Sequence, residues 1–246
     1  TKSGPEFQVN TYTNSSQNEP VLTKLSNGGF VASWNSYGQD DSNYAVQAQM
    51  YDRWGNTVGS EFQVNTHTAS DQSAPYITSL NDGGFVVVYH SNGSSADGNS
   101  YGVYGQRYDA SGSTVGSEFL VNTEKSGYQL YPSVTSLSDG GFVATWHSQN
   151  QDGGGGGSYA FGVHGQRYDA SGNAVGGEFQ VNTYTPGDQM FSSVTALSGG
   201  GFVVAYQSLD LSRMSYGISA QRYDASGSPV GSEFFINETE SGSQVD

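Results

Sequence analysis

The chain has 246 residues, enough for one large domain or two small ones. Acids outnumber bases 23 to 8, and the formal charge of −15 excludes nucleic acid and anionic membrane surfaces as partners. With no cysteine there is no disulfide framework, and no apolar run approaches the ~18 residues that insert into a bilayer.

The elements come in a cycle. "EFQVNT" (6–11) alternates apolar and polar residues like a sheet edge. Pro20–Ser26 then reads as a first strand, and an "NGG" turn leads into a second that begins at Phe30. A polar loop over 37–44 follows. A third strand ends in "AQMYDRWG" (48–55), and "VGSEFQVNT" (58–66) is a fourth. The same order restarts at Pro75, Pro132 and Ser192. "GQRYDASG" stands at 105–112 and again at 165–172, with "AQRYDASG" at 220–227. Glu6, Glu61, Glu118, Glu178 and Glu233 each open an "EF" pair, at spacings of 55, 57, 60 and 55. The chain is therefore one repeat domain over 1–246, with units near 19–66, 75–123, 132–183 and 192–237. No segment carries a helical apolar period over ten residues.

The faces say how the strands pack. In the second strand Phe85, Val87 and Tyr89 point one way and Val86 and Val88 the other, as in a strand buried on both sides. In the fourth, Phe179 and Val181 face in while Gln180 and Asn182 face out. Hairpin turns and a gradient from buried to exposed strands predict a four-bladed β-propeller of four-stranded antiparallel blades. The outer-strand segment is present twice, at 6–11 and at 233–237. Either copy could close the last blade. The spare one would then add as an extra edge or pair with a neighbouring molecule.

The unit resembles the bacterial tandem repeats of about 55 residues, delta-60-like, of very large secreted and RTX-associated surface proteins. "GGFVVVY" (83–89), "YGVYGQRYDASGSTVG" (101–116) and "EFQVNT" (61–66) carry the likeness, which covers nearly the whole chain. The resemblance implies a propeller with an adhesive or binding role, and no catalytic residue.

Positions the repeat keeps are candidates for binding. Gln72, Gln129 and Gln189, with Gln17 and Gln244, share one position, either as loop pins or as a ring of amides for sugar hydroxyls. Trp34, Tyr89, Trp146 and Tyr206 share another, either as packing between blades or as platforms for a sugar ring, with Ser36, Ser91, Ser148 and Ser208 in reach of their polar atoms. Asn10, Asn65, Asn122, Asn182 and Asn237 suggest an Asx-type turn. The arginines of the "RYD" triplets suggest salt bridges to the neighbouring Asp or the outer-strand Glu. The variable loops are the best functional candidates. Asp40, Asp41, Asp97 and Asp152 lie in them among oxygen-rich residues of the kind calcium takes.

The expected function is a secreted or cell-surface, non-catalytic module that binds a glycan through its variable loops. The alternatives are a spacer or self-assembling unit of a giant surface protein, and an enzyme acting on polysaccharide. The last would need a carboxylate pair that breaks the repeat, for which Glu19 with Asp40 and Asp41 is the one hint.

Overall fold

The computed structural model describes residues 5–93, 98, 100–152, 160–210 and 215–237. These form sixteen strands and no helix. The first blade is β1 (Gln17–Lys24), β2 (Phe30–Tyr37), β3 (Tyr44–Tyr51) and β4 (Thr57–Gln63). The second is β5 (Gln72–Ser79), β6 (Phe85–Asn92), β7 (Tyr101–Tyr108) and β8 (Thr114–Leu120). The third is β9 (Gln129–Ser136), β10 (Phe142–Gln149), β11 (Phe161–Tyr168) and β12 (Ala174–Gln180). The fourth is β13 (Gln189–Ala196), β14 (Phe202–Asp210), β15 (Ser215–Tyr223) and β16 (Phe234–Phe235). Each blade is an antiparallel sheet in sequence order, and β1, β5, β9 and β13 pack side by side as the inner strands. This is the propeller architecture the repeat predicts.

The inner strands are longer than their prolines suggest. Each begins at the repeated glutamine and passes through a bulge: at Asn18/Val21, Ser73/Tyr76, Leu130/Ser133 and Met190/Ser193. The residue inside each bulge is left-handed, at φ 52 for Glu19, 52 for Ala74, 49 for Tyr131 and 52 for Phe191. None of these is Gly or Asn, so the local sequence carries no sign of the conformation.

Three apolar cores lie between blades. Val31, Val46 and Val64 of blade 1 meet Phe85, Tyr89 and Tyr108 of blade 2. Val86, Val88 and Val121 meet Phe142, Trp146 and Tyr168. Val143, Val163 and Val181 meet Phe202, Tyr206 and Tyr223. In each junction the valine-rich face of one blade packs on the aromatic face of the next. No such core joins blade 4 to blade 1 among the described residues.

Polar contacts repeat with the same register. Asn65, Asn122, Asn182 and Asn237 are not outward turn residues. Their Oδ1 atoms accept the N–H of Val46, Val103, Val163 and Ile218 at 2.8, 2.7, 2.8 and 2.8 Å, continuing the ladder where the outer strand ends. The arginines also depart from expectation. Arg107 pairs with Asp82 at 3.5 Å and Arg167 with Asp139 at 3.2 Å, both in tight turns of their own blades. Each also donates to the next blade's "DASG" turn, Arg107 to the Ala170 carbonyl and Arg167 to that of Ala225, both at 2.9 Å. Asp109, Asp169 and Asp224 instead hold their own turns, accepting the N–H of Ser111, Ser171 and Ser226 at 2.8, 2.9 and 2.8 Å. No helix is long and apolar enough to cross a membrane among the described residues.

Candidate functional site

The antiparallel order places the two ends of the molecule in different roles. One end carries the "NGG"/"DGG" and "DASG" turns, which repeat. The other carries the bulges of the inner strands, the variable loops and the connections between blades. Sequence differences between the units are concentrated at this second end, the loop end.

Most residues singled out for repeating lie elsewhere. Trp34, Tyr89, Trp146 and Tyr206 are buried, so their rings are closed to a sugar. The neighbouring serines do not satisfy them. The Tyr89 hydroxyl donates to Glu118, and the indole N–H groups of Trp34 and Trp146 meet no acceptor. Gln72, Gln129 and Gln189 are fully buried and donate to the carbonyls of Ala69, Ser126 and Pro186 at 2.8, 2.9 and 3.2 Å. They pin the connection between blades and cannot line a binding ring.

The acids expected to hold calcium are also engaged or apart. Asp40 Oδ1 accepts from the N–H and hydroxyl of Ser42 at 3.2 and 2.9 Å. Asp41 sits in the same loop at φ 68. Asp152 Oδ2 accepts from Asn182 at 3.3 Å. Asp97 lies outside the described residues. No group of three or more His, Asp or Glu side chains that could hold a metal occurs among the described residues.

The bulges build a different site. Tyr131 and Phe191 are 42 and 45% exposed despite their size. Each is held by a histidine of the preceding blade. The Tyr131 N–H donates to His90 Nδ1 at 3.3 Å, and the Phe191 N–H to His147 Nδ1 at 3.4 Å. Nε2 of His90 is then the protonated nitrogen and donates to Ser73 Oγ at 2.8 Å. Burial pushes the His90 imidazolium down to about 4, and burial with the nearby His90 pushes His147 down to about 3. Both rings are therefore neutral acceptors at neutral pH.

The aromatic rings form a continuous run across three blades. Tyr131 stacks on His147 at 5.3 Å and meets Phe191 edge-on at 5.3 Å. His90 lies edge-on to Tyr101 and Tyr131, and Tyr101 reaches Tyr128 at 5.5 Å. Blade 1 breaks the pattern. Glu19 stands where the others carry Ala74, Tyr131 and Phe191, and Asn35 stands in place of the histidines. Asn35 Nδ2 donates to Glu19 Oε2 at 2.9 Å and to Asn18 Oδ1 at 3.0 Å. A carboxylate oriented by an amide thus occupies the bulge that presents an aromatic ring in blades 3 and 4. Tyr131 and Phe191 escaped notice because they vary between units. That variation, between a constant Gln and a Pro or Ser, was the available signal.

A cavity of about 520 Å³ lies at the same end, against Tyr184, Glu233, Phe234 and Phe235. Burial raises the Glu233 carboxyl, but hydrogen bonds from Thr183, Tyr206 and Tyr184 together outweigh it and hold the group below its ordinary value. The Thr183 N–H and hydroxyl reach Glu233 at 2.8 and 2.6 Å. Glu61, Glu118 and Glu178 bind Thr11, Thr66 and Thr123 in the same way, so this carboxylate fastens one blade to the next.

No family model and no curated protein matches the chain. Solved structures do. The GH93 α-L-arabinofuranosidase of Fusarium graminearum, in complex with arabinobiose, is 14% identical over 90% of this chain and 66% of its own, at a TM-score of 0.59. The α-L-arabinanase of Penicillium chrysogenum, also with arabinobiose, is 15% identical over 91% of this chain and 68% of its own, at 0.58. A protein of unknown function from Dyadobacter fermentans is 14% identical over 86% of this chain and 66% of its own, at 0.58. The chain thus spans about two thirds of these structures, and at such identities the likeness is one of fold. It nevertheless overturns the expectation of a non-catalytic binding module with no enzymatic activity. The structures this chain resembles include a family-43 glycoside hydrolase, an arabinanase and an arabinofuranosidase, and blade 1 carries a carboxylate that departs from the repeat.

Proposed function

We propose that the chain is a polysaccharide-active enzyme that takes an arabinose-containing glycan across its loop end. The observation that carries this reading is a carboxylate, Glu19, at one of four equivalent left-handed bulges whose other residues, Ala74, Tyr131 and Phe191, are apolar or aromatic. Strained backbone that presents a functional side chain is a recurrent feature of active sites. Exposed Tyr131 and Phe191 supply flat apolar faces on which sugar rings stack. Glu19, oriented by Asn35, supplies a carboxyl for proton transfer at the glycosidic oxygen or the attacking water. Hydrolysis needs a second carboxyl roughly 5–10 Å away. Asp40 and Asp41, on the loop of the same blade, are the groups assigned to that role. The glycosidases with arabinobiose among the structural neighbours support the choice of sugar. The reading places the protein outside the cell, where such glycans are met.

The test is reducing-end release from arabinan, arabino-oligosaccharides and a panel of other polysaccharides. Glu19→Gln should lower turnover by roughly 10²–10⁴-fold with the fold intact. Tyr131→Ala with Phe191→Ala should chiefly raise KM. A folded chain that cleaves nothing on the panel, or a Glu19→Gln variant as active as the parent, refutes the reading.

A further inference from the structure

The two ends of the blade series differ from every junction inside it. Val64, Val121 and Val181, one position of the outer edge, are 2, 2 and 1% exposed, but their equivalent Ile236 is 53% exposed. Ile77, Val134 and Val194 on the inner strands are 8, 6 and 7% exposed, but Leu22 is 71% exposed. Arg107 and Arg167 are buried against the next blade, whereas the Arg222 side chain is exposed and makes no salt bridge among the described residues. Phe62, Phe119 and Phe179 lie 5.2, 5.4 and 5.3 Å from a tyrosine of the next blade, and Phe234 meets no ring among the described residues. The valine-type face of blade 4 is thus open, and the aromatic-type face of blade 1 is open at Leu22, although Trp34 and Tyr51 on that face are buried.

The segment before β1 shows what belongs between them. Phe7 lies 5.6 Å from Tyr51, in the tilted geometry of the other Phe–Tyr pairs. The Tyr51 hydroxyl donates to the Val9 carbonyl at 2.7 Å, as Tyr168 does to that of Val121 at 3.3 Å. The Thr11 N–H donates to Glu61 at 2.6 Å, as Thr66 does to Glu118 at 2.7 Å. Residues 7–11 therefore sit on blade 1 as residues 62–66 sit on blade 2. They hold the outer edge of a blade placed before blade 1. Among the described residues that edge has no inner neighbour. Val64, Val121, Val181 and Ile236 each donate to the third strand of their own blade at 2.8 Å, whereas residues 5–10 form no strand pairing among the described residues.

Blade 4 is not that blade. Its own outer position is already filled, since Ile236 donates to the Ile218 carbonyl and Asn237 accepts from the Ile218 N–H, both at 2.8 Å. The same contacts argue against blade 4 of a second copy, which would bring its residues 233–237 to the place residues 6–10 occupy. The two "EF" segments hold two different edges.

We propose that the gap between blade 4 and blade 1 is the seat of a fifth repeat unit: three inner strands whose outer edge is completed by residues 6–10. Its aromatic face covers Ile236, Phe234 and Arg222, and its valine face covers Leu22 and Phe30. Main-chain pairing to the free edge fixes the register.

The test adds the missing strands. Residues 233–246 align with 118–131, so a copy of residues 132–172 appended after Asp246 supplies the three strands in phase. The extended chain should be monomeric and melt about 10 °C above the parent. Leu22→Asp and Arg222→Ala should each remove several degrees of that gain, yet shift the 246-residue chain by less than about 1 °C. An extended chain that melts with the parent, or loses its added unit to protease while the first 246 residues survive, overturns the proposal. A second measurement holds if the extension does not fold. Leu22→Ser and Ile236→Ser in the 246-residue chain should leave its melting temperature unchanged. Destabilisation by either, or a dimer by light scattering that Leu22→Ser dissociates, shows the faces covered by a second copy and overturns the proposal.

Discussion

The two buried histidines make stability depend on pH in a window where little else titrates. His90 and His147 ionise near 6.5 when unfolded, but burial holds them neutral in the folded chain down to about 4 and about 3. A base whose folded value is depressed binds protons in the unfolded chain first. Stability is therefore full above about pH 6.5 and falls as the pH drops toward the folded values. At pH 5 the loss is about 2 kcal/mol for each ring, so about 4 kcal/mol for the pair, a large part of a domain's stability. The carboxyls held low by their turns, Asp109, Asp169 and Asp224 among them, lose their contribution only as the pH falls below the ordinary carboxylate value of 3.8. The interval from pH 7.5 to 5 thus isolates the imidazoles, with His164, also lowered by burial, as the third contributor. The assay is urea unfolding at the two pH values. Gln207 holds the same position in blade 4, so His90→Gln and His147→Gln are substitutions the fold accommodates. The double variant should lose about 4 kcal/mol less than the parent on going to pH 5. An equal loss in parent and double variant refutes the assignment.

Three further substitutions test the frame. Asn122→Ala removes the acceptor of the Val103 N–H and should cost about 1–3 kcal/mol, read as a lower urea midpoint with faster exchange of that amide. Gly84→Ala places a methyl group on the Tyr108 carbonyl oxygen, so the backbone must shift; a loss of about 3 kcal/mol is expected in the same assay. Ala74→Gly relieves a left-handed alanine at φ 52 and should stabilise the fold by about 1 kcal/mol, read as a higher urea midpoint, without changing turnover.

The repeat was legible because its signals are local and redundant. Gly28, Gly83, Gly140 and Gly200 mark one turn at φ 87, 91, 92 and 93, which side-chain-bearing residues rarely adopt. The alternation in "EFQVN" marked an outer strand that packing then exposes on one side. The bulges were not legible. Tyr131 and Phe191 are left-handed as the other two bulge residues are, and a histidine about 40 residues earlier accepts their N–H groups across a blade junction. No local preference encodes such a contact. The same distance hid the arginine partners, since Arg107 acts on Ala170, 63 residues away. Repetition itself marks the frame and not the site. Trp146, Gln129 and Asn122 are kept because the frame needs them in every blade, and the frame buries them.

The asymmetry at blade 1 joins the chemistry to the architecture. At two of the three inner junctions an imidazole of one blade accepts the bulge N–H of the next, so Tyr131 and Phe191 are each fixed from the blade before them. Glu19 is the bulge residue of blade 1, and the blade before it would stand in the gap. Asn35 orients the carboxylate from within blade 1. That contact gives Glu19 a defined position with the gap open, whereas its main chain lacks the support that Tyr131 and Phe191 receive. A fifth unit would bring a residue equivalent to His90 or His147 against the Glu19 N–H and exclude water from that side of the carboxylate. The side chain that departs most from the repeat thus lies beside the one junction the repeat leaves unfilled. There a neighbouring blade bears on both the backbone and the solvent of a single acid.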